Sequence, residues 1–143
     1  MNMKTILLLL AFCASTVYCG VVDTTSCGGT GTWRELRIDT CQGELCEMVP
    51  GTPYSVEADF IPSAASPELC LNVTAIHLGF DIPIISTELP GSSVQPGQLY
   101  TIRYTITPND SLKGFTVPIT STVGRCFNSA FVEMCRSIRV RIL

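Results

Sequence analysis

The stretch Cys41–Phe60, CQGELCEMVPGTPYSVEADF, decides how this chain is read. Cys41 and Cys46 are separated by four residues that include Gly43, a spacing that suits a small covalent clip across a tight turn. Beyond Pro50 and Gly51 the residues alternate. Tyr54, Val56, Ala58 and Phe60 fall on one side, and Ser55, Glu57 and Asp59 on the other. Period two sustained over that length predicts a strand with one dry and one wet face, because successive side chains of a strand point to opposite sides.

The same alternation recurs downstream. From Leu99 to Thr107, Tyr100, Ile102, Tyr104 and Ile106 share one face, while Thr101, Arg103, Thr105 and Thr107 share the other. After a turn over Pro108 to Gly114, Phe115, Val117 and Ile119 are expected to face inward. Residues 123–129 should turn again. The last strand should begin near Ala130, with Ile138, Val140 and Ile142 alternating with Arg139 and Arg141. Upstream, a polar, Gly-rich segment over residues 20–32 leads into a first strand from Trp33 to Asp39. A third strand spans Cys70 to Leu78, and Ile82 to Ile85 continues it after Gly79. Residues 87–98 carry Pro90, Gly91, Pro96 and Gly97 and read as loop. Nothing sustains a helical period, and Thr, Val and Ile fill the strands, as pleated surfaces prefer. About seven short strands with turns between them predict an all-β fold, an immunoglobulin-like sandwich of two antiparallel sheets.

Residues 1–19, MNMKTILLLLAFCASTVYC, combine a lysine, an apolar run from Ile6 to Ala14 and small residues beyond it. This is the pattern of a secretory signal peptide, with Val17 and Cys19 placed for cleavage before Gly20. The run is well short of the ~20 residues that a membrane span needs. Residues 20–143 then form one domain, long enough for a real core. Six of the eight cysteines remain in it: Cys27, Cys41, Cys46, Cys70, Cys126 and Cys135. An even number in a secreted chain points to a disulfide framework, but six cysteines allow about fifteen pairings, and spacing does not choose among them. The formal charge of −3 argues against nucleic acid or an anionic membrane surface as the main partner.

The clip and the strand after it resemble the ML lipid-recognition family, in particular its Niemann-Pick type C protein 2-like branch, to which the group-two mite allergens are related. There a Cys-x4-Cys turn precedes a Gly-x-x-Tyr-Ser-Val-x-Val-x-Phe strand, matched here by Cys41, Cys46, Gly51, Tyr54, Ser55, Val56, Ala58 and Phe60. Gly79 to Ile84 echoes the family's Gly-Val-Pro-Val-Pro-Phe corner. The resemblance implies the pairs Cys41–Cys46 and Cys27–Cys135, the second joining the first strand to the last. It leaves Cys70 with Cys126, since residues 85–98 lack the cysteines of the family's usual third clip.

Chemistry is poorly supplied. The one histidine, His77, sits among apolar neighbours, no Gly-x-Ser-x-Gly elbow appears, and a single imidazole would have to serve every base role. A lone histidine and six oxidised cysteines leave no metal-ligand set. The chain therefore reads as a non-enzyme that needs no metal or cofactor. Asn72-Val73-Thr74 and Asn109-Asp110-Ser111 are glycosylation sequons; Asn72 faces outward only if Leu71, Val73 and Ala75 point in.

On residue pattern alone the apolar faces make a filled core, because packed sheets lie about 10 Å apart and leave no room for a ligand. The resemblance implies otherwise, since ML domains hold a lipid between splayed sheets. The walls are then Val56, Ala58 and Phe60; Tyr100, Ile102, Tyr104 and Ile106; Phe115, Val117 and Ile119; and Ile138 and Val140. The family's apolar rim falls at Ile84, Pro108 and Leu112, where its aromatic members are replaced by aliphatic ones. The mouth is expected beside the disulfide-free segments 85–98 and 108–114. Arg136 shares the parity of Ile138 and Val140, and the strand is expected to bend at Cys135 and release it to solvent. The implied function is a secreted, monomeric carrier of a fatty acid, sterol or other small lipid, with hand-off at a membrane or a protein receptor. A lipid-presenting innate-recognition module and a solid-core structural protein are the alternatives.

Overall fold

The structure, a computed structural model, describes residues 19–143, so the expected leader lies outside the described residues except for Cys19. Ten strands follow one another: β1 (Cys19–Val22), β2 (Thr25–Gly28), β3 (Thr32–Asp39), β4 (Leu45–Met48), β5 (Tyr54–Ile61), β6 (Leu69–His77), β7 (Phe80–Leu89), β8 (Tyr100–Ile106), β9 (Thr116–Arg125) and β10 (Asn128–Ile142). A 3-10 turn at Asp110–Leu112 lies between β8 and β9. No helix among the described residues is long and apolar enough to cross a membrane.

The alternation read from the sequence sets the pairing. β5 lies between β3 and β8, with Ala58 opposite Leu36 on one side and Ile102 on the other. β1 completes this smaller sheet in the order β1-β3-β5-β8. The larger sheet runs β10-β9-β6-β7, and β2 and β4 share the free edge of the long β10. All pairs are antiparallel except β4 with β10. Inward residues of the two sheets meet in one core. Ile38, Val56, Ala58 and Phe60 of the smaller sheet and Leu71, Val73, Val123 and Val140 of the larger are almost wholly buried.

Because β2 and β4 share one edge, the larger sheet is five strands wide and the smaller four. β3 packs against β10, and a β8 side chain reaches β9. The strand left without a facing partner is β7. Its inward residues Ile82, Ile85 and Leu89 are only half-buried, and its others are mostly exposed.

Several elements differ from the sequence expectation. β1, β2 and β4 were not anticipated, and residues 80–89 are neither loop nor a continuation of β6. They fold back on β6 as its hairpin partner, with His77 opposite Phe80. Leu78 and Gly79 make the two-residue turn, both at positive φ (52° and 79°), the geometry of a type I′ hairpin. Pairing then steps from Pro83 opposite Thr74 to Ile85 opposite Val73, so Ile84 is the extra residue of a bulge. The proline is tolerated because β7 is an edge. β9 continues through residues 123–125, where a turn was expected. Phe115 falls before β9 and is half exposed rather than inward, because the parity that places Val117 and Ile119 does not extend past the strand's start.

The three disulfides are Cys27–Cys135, Cys41–Cys46 and Cys70–Cys126. Cys27–Cys135 joins β2, rather than the first strand, to β10. Cys70–Cys126 joins β6 to the turn after β9. Both long bridges therefore lie within the larger sheet. Only the small clip links the segment after β3 to β4, and so one sheet to the other.

A buried carboxylate holds one end together. Glu133 is 1% exposed, and its oxygens accept from the Ser63 and Ala64 amides and from the Ser63 hydroxyl. A Cβ on Gly31 would lie 2.8 Å from the Glu133 carbonyl oxygen and 2.9 Å from its carboxylate, so only glycine lets the β2–β3 loop pass over it.

Two predictions follow from this frame. A leucine in the left-handed region costs about 1–2 kcal/mol, and Leu78 is 82% exposed, so packing returns little. Leu78→Asn creates the Asn-Gly pair that type I′ turns prefer and should raise Tm by several degrees in a thermal melt; an unchanged or lower Tm would contradict the turn assignment. The second concerns the outer face of the smaller sheet. There the Arg37 guanidinium donates to both Asp59 oxygens, at 2.8 and 2.9 Å, and Thr101 donates to Asp59 at 2.7 Å. The Arg37 hydrogen bonds outweigh partial burial and hold the Asp59 carboxyl below its ordinary value. A depressed carboxyl pKa stabilises the fold above the unfolded value of about 4, and that contribution is lost as pH falls through the lower folded value. The urea midpoint should therefore drop below pH 4, and Asp59→Asn should flatten that drop; an equally steep profile would show that Asp59 does not carry it.

Candidate functional site

The seam where β7 extends past β8 contains two clefts. The first, about 190 Å³, is walled by Ala75 of β6, Ile82, Pro83 and Ile84 of β7, Ile106 of β8, and Val117 and Ile119 of β9. Pro108, Leu112, Met48 and Ile142 also line it, and Thr107 and Asn109 are its polar members. The bulge at Ile84 turns that side chain, 37% exposed, to the lip. The second cleft, about 230 Å³, lies further along the same seam. Phe60, Leu69, Leu89, Tyr100 and Ile102 line it with the loop from Pro90 to Val94 and with Arg103.

Between the clefts stands one polar contact. The Tyr104 hydroxyl of β8 lies 2.9 Å from the Ser121 hydroxyl of β9 and bridges the two sheets. Ser121 is 6% exposed. The tyrosine as a whole is half-buried, but its phenol is enclosed. Burial raises its pKa, and the bond to Ser121 offsets this in part, so the group is neutral at any physiological pH. Neighbouring tyrosines direct their hydroxyls elsewhere. Tyr54 accepts from the Val49 amide, and Tyr100 accepts from the Gln95 amide and donates to Gln98, which pins the loop beside the second cleft.

The sequence-predicted residues fall into distinct groups. Ile84, Pro108 and Leu112 come together at the first cleft, joined there by Ile106, Val117 and Ile119. Phe60, Tyr100 and Ile102 line the second. Val56, Ala58, Ile138 and Val140 are packed in the core and line neither cleft. Phe115 is outside both; its ring lies 4.6 Å from that of His77 at the surface. Of the two segments expected at the mouth, 108–112 adjoins the first cleft; in the other, 85–89 belong to β7 and 90–98 are loop, of which 90–94 line the second cleft. Ser121 was missed, although its parity with Val117 and Ile119 marks it as an inward polar residue. Ala75 and Ile82 were missed because residues 82–85 were read as continuing β6 rather than as folding back beside it.

Arg136 neither enters a cleft nor swings free. β10 shifts register against β2 between Cys135 and Arg136, and the guanidinium settles over the Trp33 ring, 4.8 Å from its centroid. Beside the first cleft the β6–β7 hairpin exposes Leu78 (82%) and Phe80 (74%). Asn72 is exposed on the outer face of β6, since Leu71, Val73 and Ala75 do point in. Asn109 is also exposed, and its side-chain oxygen caps the 3-10 turn by accepting from the Ser111 amide. Among the described residues Cys70, Glu88 and Cys126 cluster closely enough to suggest a metal, but the two sulfurs are bonded to each other.

No protein-family model matches the chain. The mite group 2 allergen Tyr p 2 of Tyrophagus putrescentiae is 28% identical over 92 residues, which cover 61% of this chain and 64%, less than two thirds, of the allergen. Among solved structures, a Niemann-Pick type C2 protein from the Japanese carpenter ant superposes with a TM-score of 0.72 at 14% identity, covering 85% of this chain and 99% of the ant protein. Chicken MD-1, crystallised with lipid IVa, gives 0.54 at 13% identity over 87% of this chain and 96% of its own. The C-terminal domain of wzt gives 0.60 at 10% identity over 85% and 77%. Likenesses this distant in sequence speak for the fold. The resemblance to ML domains first read in Cys41–Phe60 is therefore borne out by the architecture of the described chain.

Proposed function

We propose that this ML-like chain is a secreted carrier that holds a small apolar ligand in the seam between its sheets. The observation that carries the reading is the first cleft, where three rim residues far apart in sequence, Ile84, Pro108 and Leu112, converge on a hollow between the two sheets. Binding there is burial without chemistry. Each methylene moved from water to an apolar wall gains roughly 0.8 kcal/mol before ordering costs. Such walls read shape and little else, so ligands of similar bulk compete closely. That MD-1 was crystallised with lipid IVa on the same fold supports a lipid as cargo. His77 has no catalytic role in this reading. Residues 1–19 serve as the leader, and Asn72 and Asn109 are offered as glycosylation sites.

Solvent extraction of the purified protein and mass spectrometry test the reading directly, a co-purifying lipid being the expected result. Leu112→Glu and Ile84→Glu should each weaken binding of a fluorescent fatty acid or sterol by tenfold or more, roughly the effect of setting a charge against an apolar cargo. Both should remain folded. Ile102→Glu should unfold the domain, because it buries an unpaired charge. Two folded rim variants with unchanged affinity would move the mouth elsewhere.

The exposed hairpin tip favours a second role in which the loaded protein is presented to a receptor or membrane, since apolar patches beside a binding site mark interaction surfaces. Phe80→Ser should then slow ligand transfer to acceptor vesicles or to a receptor without changing affinity; unaltered transfer would count against this face.

A further inference from the structure

We infer that Tyr104 and Ser121 are an internal polar gate, which selects an apolar ligand carrying one neutral hydroxyl or carbonyl and running through both clefts. The inference rests on the carrier reading and adds a ligand class and two specificity-determining residues to it.

Strand order places the pair between the clefts from every side. On β8 the inward residues run Tyr100 and Ile102 in the second cleft, then Tyr104, then Ile106 in the first. On β6, Leu69 lines the second cleft and Ala75 the first, with Leu71 and Val73 between. β7 repeats the pattern with Leu89, Ile85 and Ile82. Ser121, Val73 and Ile85 stand opposite one another as a single rung across three strands, and the Tyr104 hydroxyl reaches across to that rung. Each cleft alone is smaller than the roughly 300 Å³ at which ligand pockets begin, and the two together exceed it. A ligand of useful size must therefore pass Tyr104 and break its bond to Ser121.

Breaking that bond leaves two buried hydroxyls in need of partners, each able to donate and to accept. A ligand with one hydroxyl or carbonyl at this depth restores the lost bonds, and a purely apolar ligand leaves them unmade. A carboxylate fits worse. Arg136 stands opposite Ser121 across β9 and β10, but its guanidinium is committed to the Trp33 ring. Ile102, Ile106 and Ile119, which flank the pair, bring no charge.

Displacement of the neutral probe N-phenyl-1-naphthylamine from wild type, Tyr104→Phe, Ser121→Ala and the double variant Tyr104→Phe/Ser121→Ala tests the gate. The competitors are dodecan-1-ol, 1-chlorododecane and dodecanoate, and melting curves verify that each variant is folded. Wild type should bind the alcohol about fivefold to tenfold more tightly than the chloride, the worth of one neutral hydrogen bond. The double variant, which has neither hydroxyl, should remove that preference, chiefly by binding the chloride better, while still binding the probe. An alcohol preference that survives in the double variant overturns the gate and leaves the carrier intact. So does a dodecanoate preference that is indifferent to Tyr104. Wild type that takes up neither probe nor competitor overturns the carrier reading and the gate with it.

Discussion

The larger sheet is one strand wider than the smaller, and the inward residues of the extra strand, Ile82, Ile85 and Leu89, pack only at the margin of the core. Elsewhere the two apolar faces exclude water by meeting across the usual sandwich spacing. At β7 that solution stops, and the half-buried Ile82, Ile85 and Leu89 mark where it does. The clefts are products of this mismatch. They need no splaying of the whole sandwich, which is why Val56, Ala58, Ile138 and Val140 can be core and the molecule can still contain hollows. β7 carries the features of a protected edge, with Pro83 and a bulge interrupting its outer ladder.

Legibility followed from how much of a strand's environment its own sequence records. β5 and β8 lie in the smaller sheet with one face buried and one wet, so their alternation is clean and was read correctly. β7 is wet on most of both faces, and the bulge at Ile84 breaks its parity. No periodic signal survives that combination. β1, β2 and β4 have four residues each, too few to show a period, and exist because longer strands offer them an edge. Glu133 was invisible for a related reason. Register shifts in β10 on either side of Val132 put Glu133 and Met134, adjacent in sequence, both inside. The cysteine pairing was legible through the family resemblance rather than through spacing. The rim residues Ile84, Pro108 and Leu112 came from the same source, whereas the gating serine needed the register of β6, β7 and β9.

The polar groups that hold the sandwich are unevenly placed. On the β1/β3 side the Arg136 guanidinium lies over Trp33, and Val22 bridges to Gly43 beside the small disulfide. Glu133 ties the loop after β5 to β10. On the outer face of the smaller sheet, Arg37 gathers Glu35, Glu57 and Asp59 from two adjacent strands. Along the β7/β8 side, the Tyr104–Ser121 hydrogen bond reaches from one sheet to the other through the interior.

The placement of the disulfides gives this asymmetry a mechanical meaning. Cys27–Cys135 and Cys70–Cys126 both reinforce the larger sheet, making it a stiff board. Cys41–Cys46 fastens the smaller sheet to it beside β3 and β4, like the spine of a book, and the β7/β8 margin is the fore-edge. None of these three covalent bonds fixes how far the covers stand apart there. The width of that margin is left to noncovalent contacts, the Tyr104–Ser121 bond among them, with the oxidised framework indifferent to it.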